Sequence, residues 1–395
     1  MSEKISRRKY LKYVGSGVVV AALAGAGYYY LTSAPPAEIS TTTAASTTAA
    51  TMTSPVVDTE AGVLNVFDWS GYELPEFWAP FKAQHPNVDV KFTTLISTTQ
   101  ASAKLKSGFK PDVVHPCYVG ILDFVNGGLI EPLDISQLQP NWDDIWPVLK
   151  TGCPPINGNT YMVPQDWGYV SVIARTDLLE KMGISREEYN TWNILWDPRL
   201  KGKIAMGSGV IDAICSTSVA LGINTLTSSH WDFSPDELQR IKEKLLEQVP
   251  LIRTYWSTMT DLANLMKSGE VVVSMGWNDG YALLKKDNVP VEFLPVKEGR
   301  LIWICGFCIV TGGNKKLAYD YIKAYTDPQS SANFTNMYYY GTPSMKAVPL
   351  MNKDVVENLG LDNPDESFRN AIPYGVIPNM SDLEEVMREV KASAG

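Results

Sequence analysis

The residues of this chain that could do chemistry are few, and most of them fail on spacing. Cys117 stands two residues after His115, but a cysteine nucleophile needs its imidazole base oriented by an acid, and none is evident beside the pair. No nucleophile elbow occurs either. Cys305-Gly306-Phe307-Cys308 has the spacing of a thiol redox motif, yet it lies inside the apolar run Leu301–Val310. On a strand, residues three apart point to opposite faces, so these two sulfurs are poorly placed to share a metal or close a bridge. The five cysteines (Cys117, Cys153, Cys215, Cys305, Cys308) show no disulfide framework, and burial as small hydrophobes is their ordinary reading. His85, His115 and His230 are far apart and fit no metal spacing. Neither G-x-G-x-x-G nor G-x-x-x-x-G-K-[ST] is present, so the phosphate-cradling loops of nucleotide enzymes are missing. What remains is a set of aromatic and polar clusters. They are Asp68-Trp69-Ser70-Gly71-Tyr72, His115-Pro116-Cys117-Tyr118, Asp166-Trp167-Gly168-Tyr169, Trp277-Asn278-Asp279 and the approach to Trp303. The expectation is a binding protein without metal or cofactor, not an enzyme.

The elements that position these clusters alternate between strand and helix. Val63–Asp68, Val88–Thr94 and Pro111–His115 read as strands, with helices over Leu74–Gln84, Thr98–Lys106 and Val119–Asn126. Gly168–Arg175 is the next strand, then Lys203–Met206, Val271–Met275, Val289–Leu294 and Leu301–Val310. Helices are expected over Ile211–Leu221, Pro235–Gln248, Met259–Lys267, Lys315–Thr326 and Pro328–Tyr338. This order predicts an α/β architecture, a mostly parallel sheet with helices on both faces, in two lobes. Ligands of such sheets bind in the crevice at the carboxyl ends of the strands, where the clusters stand.

Charge divides the chain. The formal charge of −9 over 395 residues includes Lys4, Arg7, Arg8, Lys9 and Lys12 against Glu3, so residues 1–33 carry +4 and the remainder −13. A body that acidic, with no basic stripe, excludes nucleic-acid binding. Ser6-Arg7-Arg8-Lys9-Tyr10-Leu11-Lys12 has the pattern of a twin-arginine export signal and runs into the uncharged apolar segment Val14–Leu31. That segment is long enough to span a bilayer as an anchor, which is the favoured reading. Ala24-Gly25-Ala26 offers the alternative of a cleavage site. Residues 34–60 are rich in Ser, Thr and Ala and read as a linker.

Seven short motifs, in order over residues 63–345, resemble the polyamine-binding proteins of ABC importers, the spermidine/putrescine-binding family. They are Asp68-Trp69-Ser70-Gly71-Tyr72, Asp112-Val113-Val114-His115-Pro116, Pro164-Gln165-Asp166-Trp167-Gly168, Leu195-Trp196-Asp197-Pro198-Arg199-Leu200-Lys201-Gly202, Gly269-Glu270-Val271 with Trp277-Asn278, Pro295-Val296-Lys297-Glu298-Gly299, and Gly341-Thr342-Pro343-Ser344. The resemblance implies a two-lobed periplasmic-binding-protein type II fold with the ligand cleft between the lobes. Lobe 1 would comprise residues 61–167 and 303–341, and lobe 2 residues 168–302 and 342–395. Trp69, Tyr72 and Tyr118 match aromatic wall positions, while Trp277 and Trp303 match the two tryptophans that sandwich the ligand. An ammonium group over an indole face is favoured by about 0.5–2 kcal/mol. The family's acids carry over poorly. Of the acidic pair at the start of a lobe-2 helix only Asp212 corresponds, and the Asp expected two residues after Trp303 is Cys305; Cys117 and Cys305 both stay candidate ligand contacts. Asp166 and Asp279 are the candidate substitutes. Asp212 is equally well read as an acid that stabilises a helix start.

The function implied is an exported, monomeric solute receptor. It would sit in the periplasm or on the outer face of the cytoplasmic membrane, held through its N-terminal segment. It would capture a polyamine or related organic cation by lobe closure and deliver it to the permease and ATPase of an ABC transporter. Depletion of the acids leaves a non-polyamine solute open, with an exported sensor and a cysteine hydrolase as weaker alternatives.

Overall fold

The computed structural model describes residues 61–393, all within one unit that spans Pro55–Gly395. The segments expected to be a twin-arginine signal, an apolar anchor and a linker therefore lie outside the described residues. The strands are β1 (Gly62–Trp69), β2 (Val88–Leu95), β3 (Val113–Val114), β4 (Val163–Arg175), β5 (Ile204–Gly207), β6 (Ile252–Trp256), β7 (Val273–Trp277), β8 (Val291–Phe293), β9 (Arg300–Ile309) and β10 (Ala371–Pro373). They form one ten-stranded sheet in the order β2-β1-β3-β9-β4-β7-β5-β6, with β8 on β4 and β10 on β9.

The mostly parallel sheet expected from the element order is only half right. Pairing is parallel within each lobe, β1 with β2 and β3 on one side and β5 with β6 and β7 on the other. Between them, β3–β9, β4–β9 and β4–β7 are all antiparallel. The cause is connectivity. β4 carries the chain out of the first lobe and β9 carries it back, and a crossing strand and its return run in opposite directions. Both are almost continuously buried, as strands covered on both faces must be. β4 starts at Val163, five residues before the strand expected from Gly168, because Pro164, Asp166 and Gly168 are poor strand formers taken locally. Pairing with β9 overrides that preference, with an irregular register between Pro164 and Asp166.

Local chemistry sets most helix boundaries. Thr98–Lys106, Pro235–Gln248 and Pro328–Tyr338 begin where expected, because Ser97, Ser234 and Asp327 accept hydrogen bonds from the first-turn backbone. The helix expected over Leu74–Gln84 is broken into a 3-10 turn, Pro75–Phe77, and a helix, Ala79–Gln84, since Pro80 cannot continue a helix begun before it. Its Phe77, Trp78 and Phe81 are nevertheless buried, as that face requires. Several elements escaped the sequence reading, among them β10 and the helix Asn278–Lys286, and two others differ in how legible they were. β6 is half-exposed at the sheet edge and lacks a clear period, whereas the helix Met380–Ser393 buries Leu383, Val386, Met387 and Val390 at legible helical spacing.

Three chain segments run side by side where the lobes meet. Trp167 of β4 pairs with Ile304 of β9 and also bridges to Gly341. The Trp167 indole N–H donates to the Thr342 carbonyl at 2.9 Å.

Candidate functional site

A cleft of about 720 Å³ opens at the carboxyl ends of β1, β3, β5 and β7. Its first wall belongs to the lobe of β1–β3. β1 ends in Asp68 and Trp69, and the turn after it brings Tyr72 round with its backbone N–H donating to the Trp69 carbonyl. Beneath these lies His115, just past β3, with Asp166 opposite it on β4. Tyr72 donates its hydroxyl proton to Asp166 Oδ2 at 2.8 Å. His115 Nε2 lies 3.0 Å from Asp166 Oδ1, and its Nδ1 lies 2.7 Å from Asp68 Oδ1. All four side chains are buried, yet Tyr72 and Asp166 still reach the cleft surface. Burial pushes the Asp68 carboxyl up, against the opposing pull of His115.

The second wall is built differently. Gly209, at the start of the helix Val210–Ala220, faces the cleft, and Asp212 lies in that helix's first turn. Trp277, at the end of β7, donates its indole N–H to Asp212 Oδ2 at 2.9 Å, and Tyr374 donates its hydroxyl to Oδ1 at 2.8 Å. Burial raises the Asp212 pKa, and these two hydrogen bonds only partly offset it. Trp277 is braced edge-on by Trp256, ring centres 5.5 Å apart.

Trp303, on the crossing strand β9, stands between the two walls. Its ring lies against Gly168 of the paired strand, where a Cβ would come within 2.6 Å of the indole, so only glycine permits that approach. Tyr340 meets Trp303 edge-on at 5.0 Å and donates its hydroxyl to Asp279 Oδ2 at 3.2 Å. Burial lifts Asp279 to about 6.

Of the residues singled out from sequence, the cleft brings together Trp69, Tyr72, Cys117, Asp166, Asp212, Trp277, Trp303 and Cys305. Two do not line it. Tyr118 turns inward as the chain enters the 3-10 helix Tyr118–Gly120 and donates its hydroxyl to the Pro154 carbonyl. Asp279 reaches the cleft only through Tyr340. The cysteine reading needs a larger correction. Cys117 and Cys305 form a disulfide between residues 188 apart in sequence, so neither is a simple buried hydrophobe and Cys117 is no free nucleophile. Spacing could not reveal a bridge made by β9 lying beside the end of β3. Cys305 and Cys308 do not pair, as their opposite faces required, and Cys153, Cys215 and Cys308 are free.

Tyr340 and Tyr374 were missed. Tyr340 directly precedes the Gly341-Thr342-Pro343 crossing and was findable on that ground, whereas nothing local marks Tyr374. The partnership of Asp68 and His115 with Asp166 was missed too, because it joins three separate strands. Among the described residues, no three His, Cys, Asp or Glu side chains are grouped to hold a metal ion.

Residues 76–361 match the family described as bacterial extracellular solute-binding protein. The spermidine/putrescine-binding periplasmic protein of Escherichia coli is 23% identical over 335 residues, which cover 83% of this chain and 91% of that one. The crystal structure of the spermidine/putrescine ABC transporter substrate-binding protein PotD from Streptococcus pneumoniae, in complex with calcium and HEPES, superposes with a TM-score of 0.69 at 19% identity. That match covers 85% of this chain and all of that one. The binding protein MotA of A. tumefaciens, solved with glucopine, reaches a TM-score of 0.63 at 16% identity, covering 83% and 99%. These likenesses agree with the two-lobed type II architecture, and the match over residues 76–361 shows that the chain belongs to the bacterial extracellular solute-binding protein family.

Proposed function

We propose that this protein captures a small organic cation of the polyamine class in the cleft and delivers it to an ABC permease. One observation carries the reading: among the described residues that line the cleft, every charged side chain is an acid, namely Asp123, Asp166, Asp212 and Glu384. Trp69, Trp277, Trp303 and Tyr340 add aromatic surface, so the cleft offers carboxylates for ammonium groups and rings for the methylene chain between them. Such a site binds and releases; nothing in it supplies an activated nucleophile, since Cys117 is bridged and His115 is committed to two carboxylates. The relatives named for spermidine and putrescine support the same ligand class.

The test is calorimetric titration of the full-length protein with putrescine and spermidine. Saturable binding at about micromolar Kd or tighter is expected. No heat with either amine, together with a melting shift on adding an uncharged or anionic solute, overturns the cation reading.

We place the hinge at the adjacent crossings near Trp167–Tyr169, Ile302–Ile304 and Gly341–Pro343, with lobe 1 as residues 61–167 and 303–341 and lobe 2 as 168–302 and 342–395. Closure about them excludes water from the cleft. X-ray scattering curves that superimpose with and without saturating ligand would count against it. Residues 1–33 we read as a twin-arginine signal that anchors the receptor outside the cytoplasm. Replacing Arg7 and Arg8 by Lys should then hold the protein inside the cell, because an ammonium does not reproduce the guanidinium fork.

A further inference from the structure

The buried line Asp68–His115–Asp166–Tyr72 sits under the cleft and does more than fill space. A neutral imidazole has one N–H and one bare nitrogen, so between two carboxylates it would meet one of them lone pair to lone pair. Here both ring nitrogens face carboxylate oxygens, at 2.7 and 3.0 Å, so with both acids ionised both nitrogens must donate. His115 is 0% exposed, so water cannot stand in for either partner. Phe307 of β9 lies over the ring at 4.4 Å between centres, and the Tyr72 ring is 5.7 Å away. The ionisable groups acting on His115 are Asp68 of β1 and Asp166 of β4. The helix Lys315–Tyr325 adds Tyr321 and Tyr325 near the carboxylates, and burial keeps both phenols protonated.

We propose that His115 is the positioning residue of the cleft: an imidazolium braced from behind by Asp68, it fixes Asp166 as an ionised carboxylate on the cleft floor, where Asp166 receives one ammonium group of the ligand. The proposal rests on the cation reading above. Two carboxylates and one imidazolium leave a net single negative charge, and of the three groups only Asp166 lines the cleft. With His115 on one oxygen and Tyr72 on the other, Asp166 needs no rearrangement when the cation arrives, so the binding geometry is set in advance. The charge is also stable against pH. Burial opposes protonation of His115, but Asp68 and Asp166 outweigh it and lift its pKa to about 9.

Two measurements on the full-length protein test this, and they fail in different ways. In histidine-labelled protein, nitrogen NMR should show both His115 ring nitrogens in the imidazolium form at neutral pH, titrating only above about pH 8. This readout needs no ligand. In calorimetry with putrescine, wild-type affinity should change less than about threefold between about pH 6 and 8. His115→Gln removes the cation, so one of the two crowded acids takes up a proton, and affinity should then fall about tenfold between about pH 8 and 6. If that variant does not fold, Asp68→Asn serves: it should lower the His115 titration by about one pH unit and give a milder form of the same pH dependence. A neutral His115 in a protein that binds putrescine overturns the positioning role alone. So does a His115→Gln profile parallel to wild type, or an Asp68→Asn protein whose His115 titration is unmoved. An intact imidazolium in a protein that gives no heat with putrescine overturns the cation reading, and with it the role of Asp166.

Discussion

Asp166 and Asp212 face the same cleft from opposite walls but are held by different means. Asp166 is clamped by an imidazolium and a phenol hydroxyl, with a second carboxylate behind the imidazolium. Asp212 is held only by neutral donors, the Trp277 indole and the Tyr374 hydroxyl, and burial raises its pKa. A carboxylate with a built-in counter-charge stays ionised in a dry place. One held by neutral donors carries an unrelieved desolvation cost until a cation arrives. The first wall is therefore preorganised and electrostatically closed, and the second is poised, its charge completed by ligand. The covalent structure follows the same division, since the Cys117–Cys305 bridge lies on the first wall while Cys215, in the helix that carries Asp212, is free.

The largest effect that would sharpen this contrast comes from reduction. The bridge joins residues 188 apart, and a loop of that length is worth about 5 kcal/mol in the chain-entropy view. Urea unfolding of the full-length protein with and without reductant should show a loss of that order, and a reduced protein as stable as the oxidised one would remove the bridge from the account. Next come the paired substitutions. Asp166→Asn leaves the His115 imidazolium with one carboxylate and should cost the empty protein about 3 kcal/mol. Asp212→Asn should change it by less than about 1 kcal/mol, since Tyr374 can accept as well as donate. Equal losses from the two variants would erase the distinction between the walls. Trp303→Ala, between the walls, should weaken putrescine binding by roughly 2–3 kcal/mol, or about 30- to 150-fold, with a much smaller change in the melting temperature of the empty protein.

The smallest effect concerns Asp279, lifted by burial to about 6 and holding Tyr340 against Trp303. A folded-state pKa above the ordinary 3.8 means that the protonated acid favours folding. That contribution is complete below 3.8 and is lost as pH rises through about 6. Asp279→Asn should accordingly raise the neutral-pH stability of the empty protein by about 1 kcal/mol and flatten its pH dependence across that window. A variant that is less stable at neutral pH would show that the ionised acid, not its burial, governs the site.

Much of this was legible beforehand. Helical periodicity, N-capping Ser97 and Ser234, and alternating strands are local signals, so the element order, the two lobes and the aromatic residues at strand ends could be read from one chain. Pairing across the molecule could not. Locally, Pro164–Gly168 gave little strand signal, and only its partner β9 makes it strand. Cys117 and Cys305 looked like unrelated hydrophobes, and Tyr118 looked as suited to the cleft as Tyr72.

By itself, then, the sequence determined the α/β class, the order of the main strands and which turns carry the rings, because composition and short-range spacing act through neighbours along the chain. Tertiary structure alone decided which acids face the cleft, which cysteines bridge and what charge His115 holds. Those properties depend on groups tens to hundreds of residues apart meeting at about 3 Å in a site from which water is excluded, where each carboxylate's state is set by the partner that the fold brings to it.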